Sequence, residues 1–159
     1  MDVKVKVYIS NKQKAVPLPA GMRLLIRRCC HAVLLQQQFE GDAEVSVTLV
    51  DDEAIRGLNA EHRNIDRATD VLSFPLGDGG VYDLNLDTGA KQLGDIVISV
   101  ERALAQSQEY GHSFQREMGY LTVHSMFHLL GFDHVNGGVE AVLMRNNEEA
   151  VMAMMDLPR

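Results

Sequence analysis

Apolar and polar positions alternate at the start of the chain. Val3, Val5, Val7 and Ile9 interleave with Lys4, Lys6 and Tyr8, the period of a half-buried strand. Pro17 and Pro19 close that segment. From about Ala20 to Phe39 the period lengthens. Met22, Leu25, Ile26, Cys29 and Val33 fall on one helical face, with Arg23, Arg27 and Arg28 on its more polar side. Glu44 to Val50 alternates again, with Val45, Val47 and Leu49 together, and predicts a second strand. Asp51 or Asp52 is placed to cap a helix that runs through Ile55 and Leu58 to about Arg63. Residues 64–70 form a polar connection, and Val71–Phe74 a short third strand stopped by Pro75. Residues 76–93 carry Gly77, Gly79, Gly80 and Gly89 among aspartates and are expected to be a surface loop. Ile96–Val100 predicts a fourth strand and Glu101–Tyr110 a short helix ended by Gly111. Ser113 caps the next helix, Phe114–Leu130, with Gly131 just beyond its end. A last helix over 138–156 contains Met144, Val151, Met152 and Met155. This order predicts an α+β fold: a mixed sheet of about four strands with helices packed on it, in a single domain over 1–159.

Composition narrows the class. The chain has 159 residues, 46% hydrophobic and 23% charged, which suits one domain with a real core and excludes disorder or a coiled coil as its main organisation. No run approaches the ~18 apolar residues of a membrane span. The opening MDVKVKVYIS lacks the continuous apolar stretch of a secretory signal, so the cytoplasm is the expected compartment. Cys29 and Cys30 are adjacent and have no partners at metal-binding spacing; they are expected as buried thiols in a helix. The net charge of −7 is uneven. Residues 1–28 hold seven basic residues against Asp2 alone, +6, while the rest holds eight basic and 21 acidic, −13. A nucleic acid would be drawn to the N-terminal surface, not to the whole molecule.

The stretch His124-Ser125-Met126-Phe127-His128-Leu129-Leu130-Gly131-Phe132-Asp133-His134 carries the candidate chemistry. Positions i and i+4 lie one turn apart on one face of a helix, so His124 and His128 can reach one metal ion. Gly131 permits a sharp turn that brings His134 back as a third ligand. Three imidazoles leave a fourth position open, the layout of a catalytic zinc site rather than a closed structural one. Histidines at this spacing also occur in cores, but burying three imidazoles together without an ion leaves several polar nitrogens to satisfy.

The ligand spacing matches metzincin proteases, which carry Glu directly after the first histidine as general base. Here that position is Ser125, which cannot take a proton at neutral pH. Glu117 shares the helical face but lies seven residues earlier, about 10 Å along the axis and too far to serve. A peptidase mechanism is disfavoured. Asp133 is placed either to orient a ligand imidazole or as a surface carboxylate.

A second segment, Leu58-Asn59-Ala60-Glu61-His62-Arg63-Asn64-Ile65-Asp66-Arg67-Ala68-Thr69-Asp70-Val71-Leu72-Ser73-Phe74-Pro75, leads into the third strand. Arg63 can fork onto phosphate oxygens, or it can pair with Asp66 or a helix end. Thr69 and Asp70 are as suited to holding the turn as to chemistry.

Together with Leu93-Gly94-Asp95-Ile96-Val97-Ile98-Ser99, these two segments resemble the YbeY family of bacterial rRNA maturation factors, metal-dependent single-strand endoribonucleases. The resemblance covers roughly residues 45–135. It implies that His124, His128 and His134 bind zinc, nickel or iron being the other candidates. It implies that Arg63 is the cleft arginine needed for cleavage. It further implies action on rRNA with the small ribosomal subunit as partner, in 16S rRNA 3′-end processing and ribosome quality control, with no membrane partner. The family usually has Tyr where this chain has His62, Pro where it has Ala68, and Gly where it has Ser125, whose side chain is expected to narrow the space beside the metal. The rival reading from another class is a non-enzymatic ribosome-assembly or RNA-binding factor with a structural metal.

Overall fold

The alternating segments of the first hundred residues become one sheet. The structure, a computed structural model, describes residues 3–132 and 138–157. In chain order the elements are β1 (Val5–Asn11), α1 (Met22–Gln36), β2 (Ala43–Val50), α2 (Asp52–Arg63), β3 (Val71–Pro75), β4 (Lys91–Ser99), α3 (Val100–Tyr110), α4 (Phe114–Leu129) and α5 (Gly138–Met154). The sheet order is β1-β2-β4-β3. β1 runs parallel to β2 with Val7 opposite Val45, and β2 parallel to β4 with Val47 opposite Ile96. β3 joins antiparallel to β4, with Ser73 opposite Ile96. The expected α+β fold with a four-stranded mixed sheet is what forms.

Alternation decides which face each side chain serves. Val45, Val47 and Leu49 of β2 and Ile96 and Ile98 of β4 share the larger core with α1, α4 and α5. Val50, Leu72 and Val97 point the other way and meet Ile55 of α2 in a smaller cluster. Helix ends follow the sequence signals. The Asp51 carboxylate accepts from Ala54 N at 2.8 Å and the Ser113 hydroxyl from Arg116 N at 3.0 Å. Gly131 has φ 98°, as the turn after α4 requires. Among the described residues no helix is long and apolar enough to cross a membrane.

Residues 76–93 are more tied than their glycines suggest. The fourth strand begins at Lys91 rather than Ile96, because the polar pair Lys91–Gln92 is held by pairing with Ala43 and Glu44 rather than by burial. Isolated bridges join Asp78 to Val81 and Leu84 to Lys91. Asn85 Nδ2 donates to the buried Glu44 carboxylate at 2.8 Å, and the Tyr82 ring meets Phe39 edge-on.

Two residues test this packing. Gly94 has φ 141°, and a Cβ there would stand 2.3 Å from the Phe74 carbonyl oxygen and 3.0 Å from Leu129 Cδ2. Gly94→Ala therefore pushes β3 away from β4. A loss of roughly 2–3 kcal/mol, or about 5–10 °C in Tm, is expected by thermal denaturation. Cys29 is fully buried between α1 and α4, and desolvation pushes its thiol up to about 12, with Cys30 raised the same way. Below the ordinary thiol range the thiol is protonated in both states and the fold keeps its full stability; as pH rises towards about 12 only the unfolded thiol ionises, which draws the equilibrium away from the fold. Stability should decline between pH 9 and 12, less steeply in Cys29→Ala. Iodoacetamide at pH 8 should label neither thiol until denaturant is added.

Candidate active site

From Arg116 to Leu129, α4 is buried everywhere except along one stripe: Tyr120, His124 and His128. These three lie one turn apart on a single face. The last two open on a cleft of about 740 Å³. Its other walls are the whole of β3, His62 and Arg63 at the end of α2, Thr69 and Asp70, and Gly131 with Phe132 after α4.

The two imidazoles are held from behind. His124 Nδ1 lies 2.5 Å from Glu148 Oε2 on α5, and His128 Nδ1 lies 2.9 Å from the Phe132 carbonyl oxygen. A carboxylate and a carbonyl only accept, so each Nδ1 is the donor, and Nε2 is the nitrogen that each ring would offer to an ion. The two Nε2 atoms stand 3.2 Å apart. Two nitrogens bound tetrahedrally to one zinc at ~2.05 Å would be roughly 3.3 Å apart. The pair therefore fits as two donors to one ion. Among the described residues no group of three or more His, Cys, Asp or Glu converges as a metal site. His134 and Asp133 lie outside the described residues.

Arg63 is exposed at the last position of α2 and lines the cleft. The pairing of Arg63 with Asp66 does not form: Arg56 takes that carboxylate through Nε at 2.7 Å and Nη2 at 3.2 Å, and holds it below the usual carboxylate range. Asn59 fixes the connection beyond Arg63, donating from Nδ2 to Arg67 O at 2.9 Å. Asp70 holds the turn into β3, with Oδ1 accepting from Val71 N at 2.8 Å and Oδ2 from Gln106 Nε2 at 3.3 Å. His62 fills the wall as an aromatic residue should, edge-on to Phe74 at 5.1 Å between centroids.

Ser125 does not narrow the cleft. It is fully buried, and its hydroxyl meets that of Ser73 on β3 at 2.5 Å. The residue after the first histidine thus bonds the helix to the strand. Glu117 is also occupied: its oxygens lie 2.7 Å from His112 Nε2 and 2.7 Å from Gln106 Nε2, and it lines a neighbouring cavity of about 490 Å³. The basic residues of the first 28 positions are exposed along β1 and α1. β1 is the sheet edge opposite β3, so three strand spacings, about 14 Å, separate it from the cleft wall.

Sequence reasoning missed Glu148. A carboxylate one turn after Met144 and three residues before Val151, inside the buried stripe of α5, was the available signal. Tyr120 was missed as well. Its ring stacks on His124 at 5.8 Å and its hydroxyl lies 3.5 Å from Glu148 Oε1. Burial, helped by the neighbouring carboxylates, pushes that hydroxyl up to about 12 and keeps it a donor.

An α+β frame that presents two imidazoles and an arginine to one cleft defines a hydrolase-type site. The chain belongs to the endoribonuclease YbeY family, whose model matches residues 8–156. Endoribonuclease YbeY of Alkaliphilus oremlandii is 46% identical over 155 residues, covering 98% of this chain and 100% of that protein. Endoribonuclease YbeY of Clostridium acetobutylicum is 41% identical over 166 residues, covering 96% and 99%. The solution structure of TM1509 from Thermotoga maritima shares the fold, with a TM-score of 0.59 at 24% identity over 94% of this chain and 91% of that one.

The Ser73–Ser125 bond makes a prediction for the cleft wall. Ser73→Ala leaves a buried hydroxyl without its partner and should cost ~1–3 kcal/mol. Removing both hydroxyls should cost less than the two single changes added together. Chemical denaturation of the four proteins measures the coupling; strict additivity would mean that the bond does not join α4 to β3.

Proposed function

We propose that this protein is a metal-dependent endoribonuclease of single-stranded RNA, acting as one domain over 1–159 in the cytoplasm. The observation that carries the reading is the pair of Nε2 atoms 3.2 Å apart, in a cleft that Arg63 also lines. His124, His128 and His134 are the ligands. Three imidazoles suit zinc, and nickel and iron accept the same set. When bound, such an ion polarises a phosphoryl oxygen and lowers the pKa of water. The endoribonuclease names of relatives over nearly the whole chain support RNA as the substrate. The resemblance to rRNA maturation factors supports rRNA, at the 3′ end of 16S in the small ribosomal subunit, as its natural form.

The residues of the cleft divide the work. Arg63 meets the charge that grows on the scissile phosphate, and its planar fork suits two phosphate oxygens. β3 supplies a wall along which a single strand can lie. Neither described residue considered for the base of a peptidase is placed for it: Ser125 faces β3 and Glu117 is held by His112 and Gln106. The ribose 2′-OH is an internal nucleophile that lessens the need for a protein base. Its use leaves a 2′,3′-cyclic phosphate, whereas attack by water leaves a 5′-phosphate, and end-group analysis of the products separates the two.

Arg63→Ala should lower cleavage of a single-stranded RNA by roughly 100-fold or more with metal content unchanged. His128→Ala should lose both metal and cleavage. Metal analysis beside a cleavage assay checks each. If both variants cleave like the parent protein, the activity belongs to a contaminant and the reading fails.

A further inference from the structure

α5 sends one carboxylate into the interior. Glu148 is 4% exposed, on the helix face that also buries Met144, Val151 and Met152. A carboxylate is costly to bury unless it is paired, and here both oxygens are used on one neighbour and its companion. Oε2 lies 2.5 Å from His124 Nδ1, and Oε1 lies 3.5 Å from the Tyr120 hydroxyl. Tyr120 in turn stacks on the His124 ring. His124 is thus gripped on its Nδ1 edge and on one face, while its Nε2 faces His128. The adjacent Glu149 is directed elsewhere, 4.0 Å from Arg116.

We propose that Glu148 is a positioning residue for the metal site: it accepts the Nδ1 proton of His124, and so fixes the tautomer and the angle that present Nε2 to the ion. This rests on the metal reading above. The carboxylate also makes Nε2 a stronger donor, because negative charge behind an imidazole raises its basicity. His128 has only a neutral carbonyl, that of Phe132, in the same role. The two ligands are therefore unequal, and His124 is the tighter one. The contact also spans 24 residues and joins α4 to α5.

The test compares the full-length protein with Glu148→Gln and Glu148→Leu in two measurements. The first is zinc affinity, by competition with a chromophoric chelator. The second is the ring nitrogen spectrum of His124 in chelator-stripped protein at pH 8.5, which reports which nitrogen holds the proton. Glu148→Leu should bind zinc about 10–100-fold more weakly and show a mixture of His124 tautomers. Glu148→Gln still offers an acceptor oxygen; it should keep the Nδ1-protonated ring and lose affinity only several-fold. Parent-like zinc affinity in Glu148→Leu, or an unchanged His124 spectrum in that variant, overturns the proposal. If the leucine variant does not fold, Glu148→Gln decides alone, and affinity equal to the parent protein's overturns it. A parent protein that takes up no zinc sinks the metal reading instead, and the ring spectra then still decide whether Glu148 sets the tautomer.

Discussion

The Nε2 atoms of His124 and His128 converge to 3.2 Å, an arrangement that a positive charge between them favours. Everything around His124 and His128 serves to maintain it. Each ring could turn its Nε2 away if its Nδ1 were free to find water. Neither can, because the Nδ1 atoms are bound to Glu148 and to Phe132 O. The arrangement is held by partners that lie on three separate pieces of chain: α4 itself, the turn after it, and α5.

The scaffold explains how so small a protein holds such a site rigid. α4 is buried along all but one stripe, so it has no freedom to roll. The Ser125–Ser73 bond ties that helix to β3, and the close approach of Gly94 to Phe74 O sets β3 against β4. Asn59 and Asp70 fix the two ends of the connection between α2 and β3, and Arg63 stands at its start. The cleft is therefore a gap between elements whose spacing is fixed by packing, not a fold of mobile loop.

Much of this was legible in the chain, for reasons that can be named. Helical period alone places His124 and His128 on one face. Alternation alone separates Val47 from Val50 onto the two faces of the sheet. The caps Asp51 and Ser113 act locally and were readable one turn ahead. What could not be read has the opposite character. The partner of Ser125 lies 52 residues away and that of His124 lies 24 residues away, and no local pattern links such pairs. The strand pairing of Lys91 and Gln92 was hidden because polar residues signal no burial. Asp66 was a plausible partner for Arg63 by proximity in sequence, but Arg56, two turns earlier on the same helical face, takes it instead.

The sheet's two borders are guarded in different ways. An open border with unpaired backbone groups invites a strand from another molecule, and so seeds aggregation. β1, at one border, carries exposed Lys6 within the strand and Lys4 and Lys12 at its two ends, charges that repel an incoming neighbour. β3, at the other, is only five residues long and terminates in Pro75, which has no N–H to offer. The wall of the cleft is thus also one of the two borders open to sheet growth, and its five residues ending in proline leave little backbone for an incoming strand to pair with.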